Sequence, residues 1–337
     1  MISLYWNFRV LLAWGLALVA FLAFGIANPD FLSTANLYAL VQSFAVLGLL
    51  AAGLSLTMIA GEFDLSIAGV VPLAALITVS VGEASSLTLG IIVALVVAGV
   101  VGVLNGWLTA RFAIPSLAVT VGTMVLTTGL GYAVAGGSVV TLTDFGIGLR
   151  LDASFAGVLS LHSVVEIVII VGAVAAMAKT WTGLTIYSVG SDSARSAASG
   201  LSITRTLITV FVASAFFAGV AGALQGISLA AATPGADLTT LLQAATAVIV
   251  GGVALTGGKG KILGVVAGAL LLTVVGNGLS LAGTPTAVVQ LVNAGILLVV
   301  VLADGPLTRM VRRGAENTAL ATAPSPASAA TNAGAHS

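Results

Sequence analysis

Long apolar runs alternate with short polar connections along most of the chain. Ten runs approach or exceed the length of about 20 residues that an α-helix needs to cross a bilayer, although some are short or rich in glycine. They cover residues 10–27, 37–60, 67–82, 87–110, 117–135, 164–178, 207–230, 241–255, 262–281 and 287–303. This pattern predicts an all-α, polytopic integral membrane protein with about ten transmembrane helices.

The first apolar run follows a single basic residue, Arg9, as the apolar part of a secretory signal would. It ends in Asn28-Pro29-Asp30 without the small-x-small pattern of a cleavage site. We therefore interpret it as a transmembrane span that the protein retains.

The positions of lysine and arginine predict the orientation, because basic residues accumulate in cytoplasmic loops. With the N-terminus inside, Arg150 is the only one of the eleven basic residues that falls outside the cytoplasm. Adding or removing one span would invert every later loop, so we predict ten spans with both termini inside. The cytoplasmic basic residues are then Arg9, Arg111, Lys179, Arg195, Arg205, Lys259, Lys261, Arg309, Arg312 and Arg313.

Composition agrees with an integral membrane protein and limits the kinds of functional site that the chain can form. Hydrophobic residues make up 59% of the 337 residues and charged residues 7%, whereas a soluble domain carries about 25% charged residues. The net charge is zero, which gives no support to nucleic-acid binding. The chain has no cysteine, and its histidines, His162 and His336, fall in a loop and in a polar tail. Disulfides and thiol catalysis are thereby excluded, and no metal or other cofactor is expected.

The chain divides into one transmembrane domain, residues 1–313, and a tail, residues 314–337. The tail is Ala, Ser, Thr, Pro and Asn without periodicity, so we expect it to be disordered on the cytoplasmic side. The longest external connection, residues 136–163, either docks a partner outside the membrane or forms a solvated cap.

Two carboxylates lie between the second and third apolar runs, in the stretch from Gly61 to Gly69. On a continuous helix Glu62 and Asp64 would lie about 200° apart, so one would face lipid. A charged carboxylate there costs about 2.5 to 3.5 kcal/mol on insertion scales. We predict an interrupted backbone, opened at Gly61 and Gly69, that turns both acids toward a polar interior or an aqueous boundary. The alternative is a cytoplasmic loop whose acids are solvated.

The segment from Gly251 to Gly258 repeats part of this stretch, with the shared pattern Gly-x-apolar-x-Leu-Ser/Thr-x-small. Internal repeats are common in transporters. Apolar sequences rich in small residues also produce such matches by chance.

Ionisable residues are scarce within the spans. Residues 87–135 contain one charge, Arg111, residues 262–303 contain none, and Glu166 lies near a helix end from which it can reach water. A proton- or sodium-coupled pump usually buries such groups along its path. The glycine-rich segment 257–261 lacks the spacing of a phosphate loop, because Val253 and Gly260 stand where Gly and Ser/Thr are needed. The energy for any transport must therefore come from elsewhere.

Uncharged polar residues within the spans suit either hydrogen bonds between helices or recognition of a neutral hydroxylated solute. They are Gln42, Ser55, Thr57, Asn105, Thr120, Thr123, Gln225, Gln243, Asn277, Gln290 and Asn293.

The longest inner connection, between Lys179 and Arg205, exceeds what the packing of neighbouring helices requires. Within it, Asp192 can cap the start of a short helix and Gly200 can end it. This helix is either a contact for a soluble partner or a static part of the surface.

These residues resemble the membrane permeases of ATP-binding-cassette importers of the ribose and xylose type, whose wider group includes branched-chain amino-acid permeases. The resemblance spans most of the chain. Its blocks are Gly61-Glu62-Phe63-Asp64-Leu65-Ser66, Ile114-Pro115-Ser116-Leu117-Ala118-Val119-Thr120-Val121-Gly122-Thr123-Met124, Gly251-Gly252 through Leu255-Thr256-Gly257-Gly258-Lys259-Gly260, Leu263-Gly264 and Asn277-Gly278-Leu279.

The resemblance implies an inner-membrane subunit that is not itself an enzyme and works with three kinds of partner. These are a second permease copy or paralogue, cytoplasmic ATPase subunits that bind ATP, and an extracytoplasmic solute-binding protein. It also implies that the loop around Gly190 to Leu201, with Asp192, Arg195 and Gly200, couples the permease to the ATPase.

We therefore predict a permease subunit that translocates a small hydroxylated solute, for which a monosaccharide is favoured, when a partner hydrolyses ATP. Candidate residues of the translocation path or gate are Asp64, Ser66, Asn105, Thr120, Thr123 and Asn277. A branched-chain amino-acid permease, an ion-coupled secondary transporter and a membrane-embedded enzyme are the alternatives. A membrane-embedded enzyme would need a cluster of reactive side chains within the spans, and Glu62 and Asp64 are the one such pair in the sequence.

Overall fold

A computed structural model describes residues 2–302, with side chains from Phe8 onward. The predicted end of the transmembrane domain at residue 313 and the predicted tail, residues 314–337, lie outside the described residues.

Helices dominate the described part of the chain. Two two-residue strands, β1 (Val140–Thr141) and β2 (Ala231–Ala232), form one antiparallel pair, in which Val140 faces Ala232. A short 3-10 helix covers Pro29–Leu32. The α-helices are α1 (Ile2–Ala27), α2 (Thr34–Ile59), α3 (Ile67–Ala84), α4 (Leu87–Phe112), α5 (Ser116–Ala135), α6 (Gly146–Leu151), α7 (Leu161–Lys179), α8 (Trp181–Ser191), α9 (Ser193–Ala198), α10 (Ile203–Leu229), α11 (Leu238–Val250), α12 (Ile262–Leu281) and α13 (Thr286–Leu302).

Eight of these helices, α1 to α5, α7, α10 and α12, are long and apolar enough to cross a membrane. The other two predicted spans coincide with the shorter apolar helices α11 and α13. The prediction of an all-α, polytopic membrane protein is confirmed, whereas ten full crossings and the orientation of the termini stay predictions. Helix α11 has 13 residues and is therefore about 20 Å long, too short to cross a core of about 30 Å alone.

Four helices form the interior of the bundle. About two thirds of the apolar window of α2, α3 and α10 is buried, and α12 is similar, whereas α1 is mostly exposed. Helix α10 packs against α2, α3 and α4, and α12 packs against α1, α2 and α11. The exposed apolar faces of the peripheral helices are the surfaces that lipid or another subunit covers.

Close contact between α4 and α10 depends on two glycines four residues apart. A Cβ atom at Gly102 would lie 2.6 Å from the Cα atom of Val212, and one at Gly106 would lie 2.5 Å from the Cα atom of Ile208. Glycines at this spacing let two helix backbones approach, which is a main source of helix association in membranes. The same contact brings Asn105 of α4 into the interior, where it is fully buried.

Replacing Gly106 with valine should destabilise the bundle by about 1–3 kcal/mol, because the added side chain would push α4 away from α10. The measurement is the midpoint of thermal unfolding of the purified protein in detergent. Gly99→Val is the matched control, since a Cβ atom at Gly99 on the same helix meets nothing within 4 Å. Equal midpoints for the two variants would contradict this packing.

Candidate functional site

The backbone between α2 and α3 is interrupted at residues 60–66, which we call the first interruption. Gly61 opens it with a φ of +89°, in the left-handed region that favours glycine. The second predicted opening, at Gly69, is wrong, because α3 already begins at Ile67. Gly69 is instead needed for packing, since a Cβ atom there would overlap the Thr127 hydroxyl oxygen on α5.

Asp64 lies at the centre of the first interruption and is fully buried. Its Oδ1 atom accepts hydrogen bonds from the Ser66 backbone N–H at 3.0 Å and the Ser66 hydroxyl at 2.5 Å. Its Oδ2 atom accepts one from the Ser214 hydroxyl on α10 at 2.8 Å. Asn105 Nδ2 donates to Ser66 Oγ at 2.9 Å and extends the network to α4. The alternative of a solvated acid is therefore wrong for Asp64, whereas Glu62 is partly exposed.

The two candidate threonines on α5 lie beside this network. Thr120 Oγ1 donates to the Ser116 carbonyl at 2.8 Å, and Thr123 Oγ1 donates to the Thr120 carbonyl at 3.2 Å. Both hydroxyls thus satisfy their hydrogen-bonding capacity largely within their own helix. Thr120 also lies 3.3 Å from the Phe63 carbonyl, and Ser116 Oγ accepts from the Phe63 N–H at 3.0 Å. The start of α5 is therefore attached to the first interruption.

Asn277 lies elsewhere. It forms a reciprocal pair with Asn36, in which each amide nitrogen donates to the other oxygen at 2.9–3.0 Å. The structure therefore groups Asp64, Ser66 and Asn105, places the two threonines beside them, and separates Asn277 from all five. Their role in a path or gate stays a prediction. Ser214 is the member of the network that the sequence pattern did not indicate, because a single serine in an apolar run carries no signal of its own.

The short helix predicted in the inner connection is present as α9, and its predicted ends are confirmed. Asp192 Oδ1 accepts from the Arg195 backbone N–H at 2.9 Å, which caps the start. Gly200 follows the end with a φ of +83°. Arg195 projects from the surface, and a groove of about 430 Å³ runs along α8 and α9 to Leu201.

Helix α8 contacts the first interruption through backbone atoms. A Cβ atom at Gly190 would overlap the Ile59 carbonyl oxygen at the end of α2. That same oxygen accepts a hydrogen bond from the Gly258 N–H at 2.7 Å, and a Cβ atom at Gly257 would lie 2.6 Å from the Gly61 Cα atom. We call this meeting of Gly61, Gly190, Gly257 and Gly258 the glycine junction. It brings together the two segments that share a sequence pattern.

Two side chains of α8 strengthen the junction. Tyr187 donates its hydroxyl to the Gly260 carbonyl at 2.8 Å, and Ser191 Oγ lies 3.3 Å from the Gly258 carbonyl oxygen. Burial raises the pKa of the Tyr187 phenol, so the hydroxyl remains a donor at all physiological pH values. The predicted coupling loop and the loop before α12 are thus held as one unit.

A second interruption, residues 230–237, separates α10 from α11. It begins with β2 and ends where the Asp237 N–H donates to the Ala68 carbonyl on α3 at 2.9 Å. That carbonyl is available because its partner within the helix would be residue 72, which is proline and has no N–H. Asp237 also caps α11 by accepting from the Thr240 N–H at 3.0 Å. Pro72 therefore leaves free the carbonyl group to which the start of α11 is attached.

A cluster of ionisable side chains, separate from both interruptions, lies at the start of α7. His162 Nδ1 is 3.0 Å from Asp152 Oδ1, its Nε2 is 3.5 Å from Glu166 Oε1, and Ser228 Oγ donates to Asp152. The expectation that Glu166 reaches water is wrong, because its side chain is fully buried. Asp152, which directly follows α6, is the contact between this cluster and the segment before α7. Within residues 2–302, no group of three or more such side chains is placed to hold a metal ion.

Comparison with known proteins gives a consistent result over most of the chain. Residues 36–302 match the family model described as the branched-chain amino acid transport system permease component. The chain is 32% identical to the L-arabinose ABC transporter permease protein of Azospirillum brasilense over 292 residues, 85% of each chain. It is 31% identical to the ribose import permease protein of Haemophilus influenzae over 298 residues, which cover 87% of this chain and 92% of that one.

A third relative is the L-arabinose transport system permease protein of Escherichia coli, which is 30% identical over 288 residues. The match covers 85% of this chain and 87% of that protein. No solved structure matches the chain significantly.

Replacing Asp64 with alanine should lower the unfolding free energy by about 2 kcal/mol or more, because two buried hydroxyls and one backbone N–H lose their acceptor. Glu62→Ala is the matched control, since this acid in the same interruption is partly exposed and should matter far less. The measurement is thermal or denaturant unfolding in detergent. A larger loss for Glu62→Ala than for Asp64→Ala would show that the buried network is not what holds the interruption.

Proposed function

The chain belongs to the family of permease components of branched-chain amino acid transport systems, and we propose that it is the transmembrane subunit of an ATP-binding-cassette importer for a neutral monosaccharide. The observation that carries this proposal is the near full-length similarity to permeases named for ribose and L-arabinose. It is a multi-pass protein of the inner membrane, with eight helices of spanning length in the described residues.

In this proposal the chain contributes positioning and gating, and the free energy comes from ATP hydrolysis on a separate cytoplasmic ATPase. The groove along α8 and α9, with Arg195 beside it, is the surface on which that ATPase would act. A solute-binding protein would deliver the sugar on the opposite face, and a second permease copy or paralogue would complete the pore. No cofactor is required of this chain.

The glycine junction gives the coupling loop a physical route into the membrane. A displacement of α8 cannot occur independently of Ile59 and Gly258, because their backbones are in van der Waals and hydrogen-bond contact. Ile59 directly precedes the first interruption, and Gly258 lies in the segment between α11 and α12. Movement of the coupling loop therefore changes the start of α3 and the end of α11 together.

A branched-chain amino-acid importer is the second candidate, since the description of the family names that substrate class. Solute choice in either case also depends on the binding protein.

The experiment is reconstitution of the chain with its ATPase in proteoliposomes, with the binding protein added outside. We expect uptake of labelled ribose or arabinose that requires ATP and the binding protein. Labelled leucine is the control solute. Uptake of leucine but not of sugar would favour the amino-acid alternative, and uptake driven by an ion gradient without ATPase would contradict the proposal.

Gly190→Ala should uncouple the transporter, because the added methyl group would separate α8 from Ile59 and Gly258. We expect sugar uptake to fall while the ATPase subunits still hydrolyse ATP, so that more ATP is consumed for each sugar transported. Gly172→Ala is the matched control, since a Cβ atom there meets nothing within 4 Å. Relative to glycine, an alanine within a helix is favourable by roughly 0.5–1 kcal/mol, so neither substitution should weaken the helix itself. If Gly190→Ala consumed the same amount of ATP for each sugar transported as the unaltered chain, the glycine junction would have no role in coupling.

A further inference from the structure

A cavity of about 400 Å³ lies between α3, α10 and the second interruption. Val71 and Pro72 line it from α3, and Gln225 lines it from α10. Thr233 and Asp237 line it from the second interruption. Its volume falls within the range of about 300–1,000 Å³ that is typical of sites for small molecules.

The depth of this cavity follows from the elements around it. Ala232 near the start of the second interruption belongs to the same buried cluster as Val79 of α3, and Asp237 at its end bonds to Ala68 of α3. These two positions on α3 are eleven residues apart, or about 16 Å along the helix axis. That is about half of a hydrocarbon core of about 30 Å.

Irregular backbone that runs along half of a membrane-spanning helix has a specific requirement. Its N–H and C=O groups have no partners within a helix, and lipid offers none, so such segments occur only where they are buried in protein or line a water-filled cavity. Thr233 and Ala236 are exposed in the single chain and border this cavity. The second interruption is therefore the wall of a polar space and not a lipid-facing surface.

We propose that this cavity is a binding subsite for a neutral polyhydroxylated solute on its way through the membrane. The inference rests on the proposed function and adds the location and chemistry of the site. It also assigns solute contact to residues other than the buried network around Asp64, whose polar groups are largely engaged with one another.

The polar groups of the cavity are able to bind hydroxyl groups. The Gln225 side chain makes no hydrogen bond to any described residue, so its amide can both donate and accept. Asp237 uses Oδ1 to cap α11, and Oδ2 accepts no hydrogen bond from the described residues. The Thr233 hydroxyl is likewise available. Pro72 and Val71 offer apolar surface to the C–H face of a sugar ring.

The charge of the lining selects the solute class. Asp237 is the single ionisable residue among the lining residues, and none of them is basic. A carboxylate or phosphate on an anionic solute would meet a like charge and no compensating cation, which disfavours sugar acids and sugar phosphates. A neutral sugar suffers no such repulsion.

Gln225→Leu tests the subsite in the reconstituted transporter. At subsaturating sugar we expect uptake to fall by about tenfold, the change that the loss of a hydrogen bond of about 1.4 kcal/mol produces. ATP hydrolysis stimulated by the binding protein should stay at the level of the unaltered chain. Gln243→Leu, at a half-buried glutamine on α11 outside this cavity, is the matched control and should transport normally.

Two outcomes would overturn the subsite, and both leave the proposed function intact. One is normal uptake by Gln225→Leu, and the other is an equal loss in Gln225→Leu and Gln243→Leu. Failure of the unaltered transporter to move any sugar would instead refute the proposed function.

A second measurement uses the absence of cysteine in the chain and does not depend on how well Gln225→Leu folds. Ala236→Cys places one thiol in the cavity wall. We expect a charged, membrane-impermeant thiol reagent to label it and the transported sugar to slow that labelling. Val125→Cys is the control, because Val125 is 62% exposed on α5. At that position the apolar surroundings keep the thiol protonated, so the reagent should label it slowly. Labelling of Ala236→Cys that is no faster than that of Val125→Cys, or that sugar does not slow, would refute the subsite.

Discussion

Backbone polar groups within a bilayer must find partners inside the protein. This constraint explains how the first and second interruptions are stabilised. At the first interruption, Asp64 supplies acceptors for the groups of Ser66 and Ser214. At the second, Pro72 leaves the Ala68 carbonyl free for the N–H of Asp237. The first break is thus stabilised by a buried carboxylate, and the second by a carbonyl group of α3 that Pro72 leaves without a partner in its own helix.

The two interruptions are physically connected. The first runs from the glycine junction to the start of α3, and Ala68 in the first turn of α3 holds the beginning of α11. The other end of α11 leads through Gly251 and Gly252 to Gly257 and Gly258, which return to the junction. Helix α11 is therefore attached at its start to α3, which follows the first interruption, and at its end to the segment that enters the glycine junction. Backbone contacts therefore connect the surface of α8 and α9 to the wall of the cavity.

The sequence predicts the local features of this arrangement well and the distant pairings poorly. All ten apolar runs correspond to helices, and Asp192 and Gly200 mark the ends of α9, because apolar length and capping are properties of neighbouring residues. The contact of Ser214 with Asp64 joins positions 150 residues apart, and no local pattern indicates it. Glu166 is buried beside His162, whose other ring nitrogen contacts Asp152, and Gly69 packs against Thr127. Which polar residue faces a cavity and which faces a neighbouring helix is decided by tertiary contacts alone.

The most direct test of this account is the distance between spin labels in the assembled transporter, measured by pulsed electron paramagnetic resonance with and without ATP. One pair joins Ser199→Cys beyond α9 to Val125→Cys on α5, and the other joins Ala236→Cys in the cavity wall to the same reference. We expect ATP binding to shift both distances together. A shift at Ser199 with no shift at Ala236 would contradict it, because the coupling loop would then move without moving the second interruption.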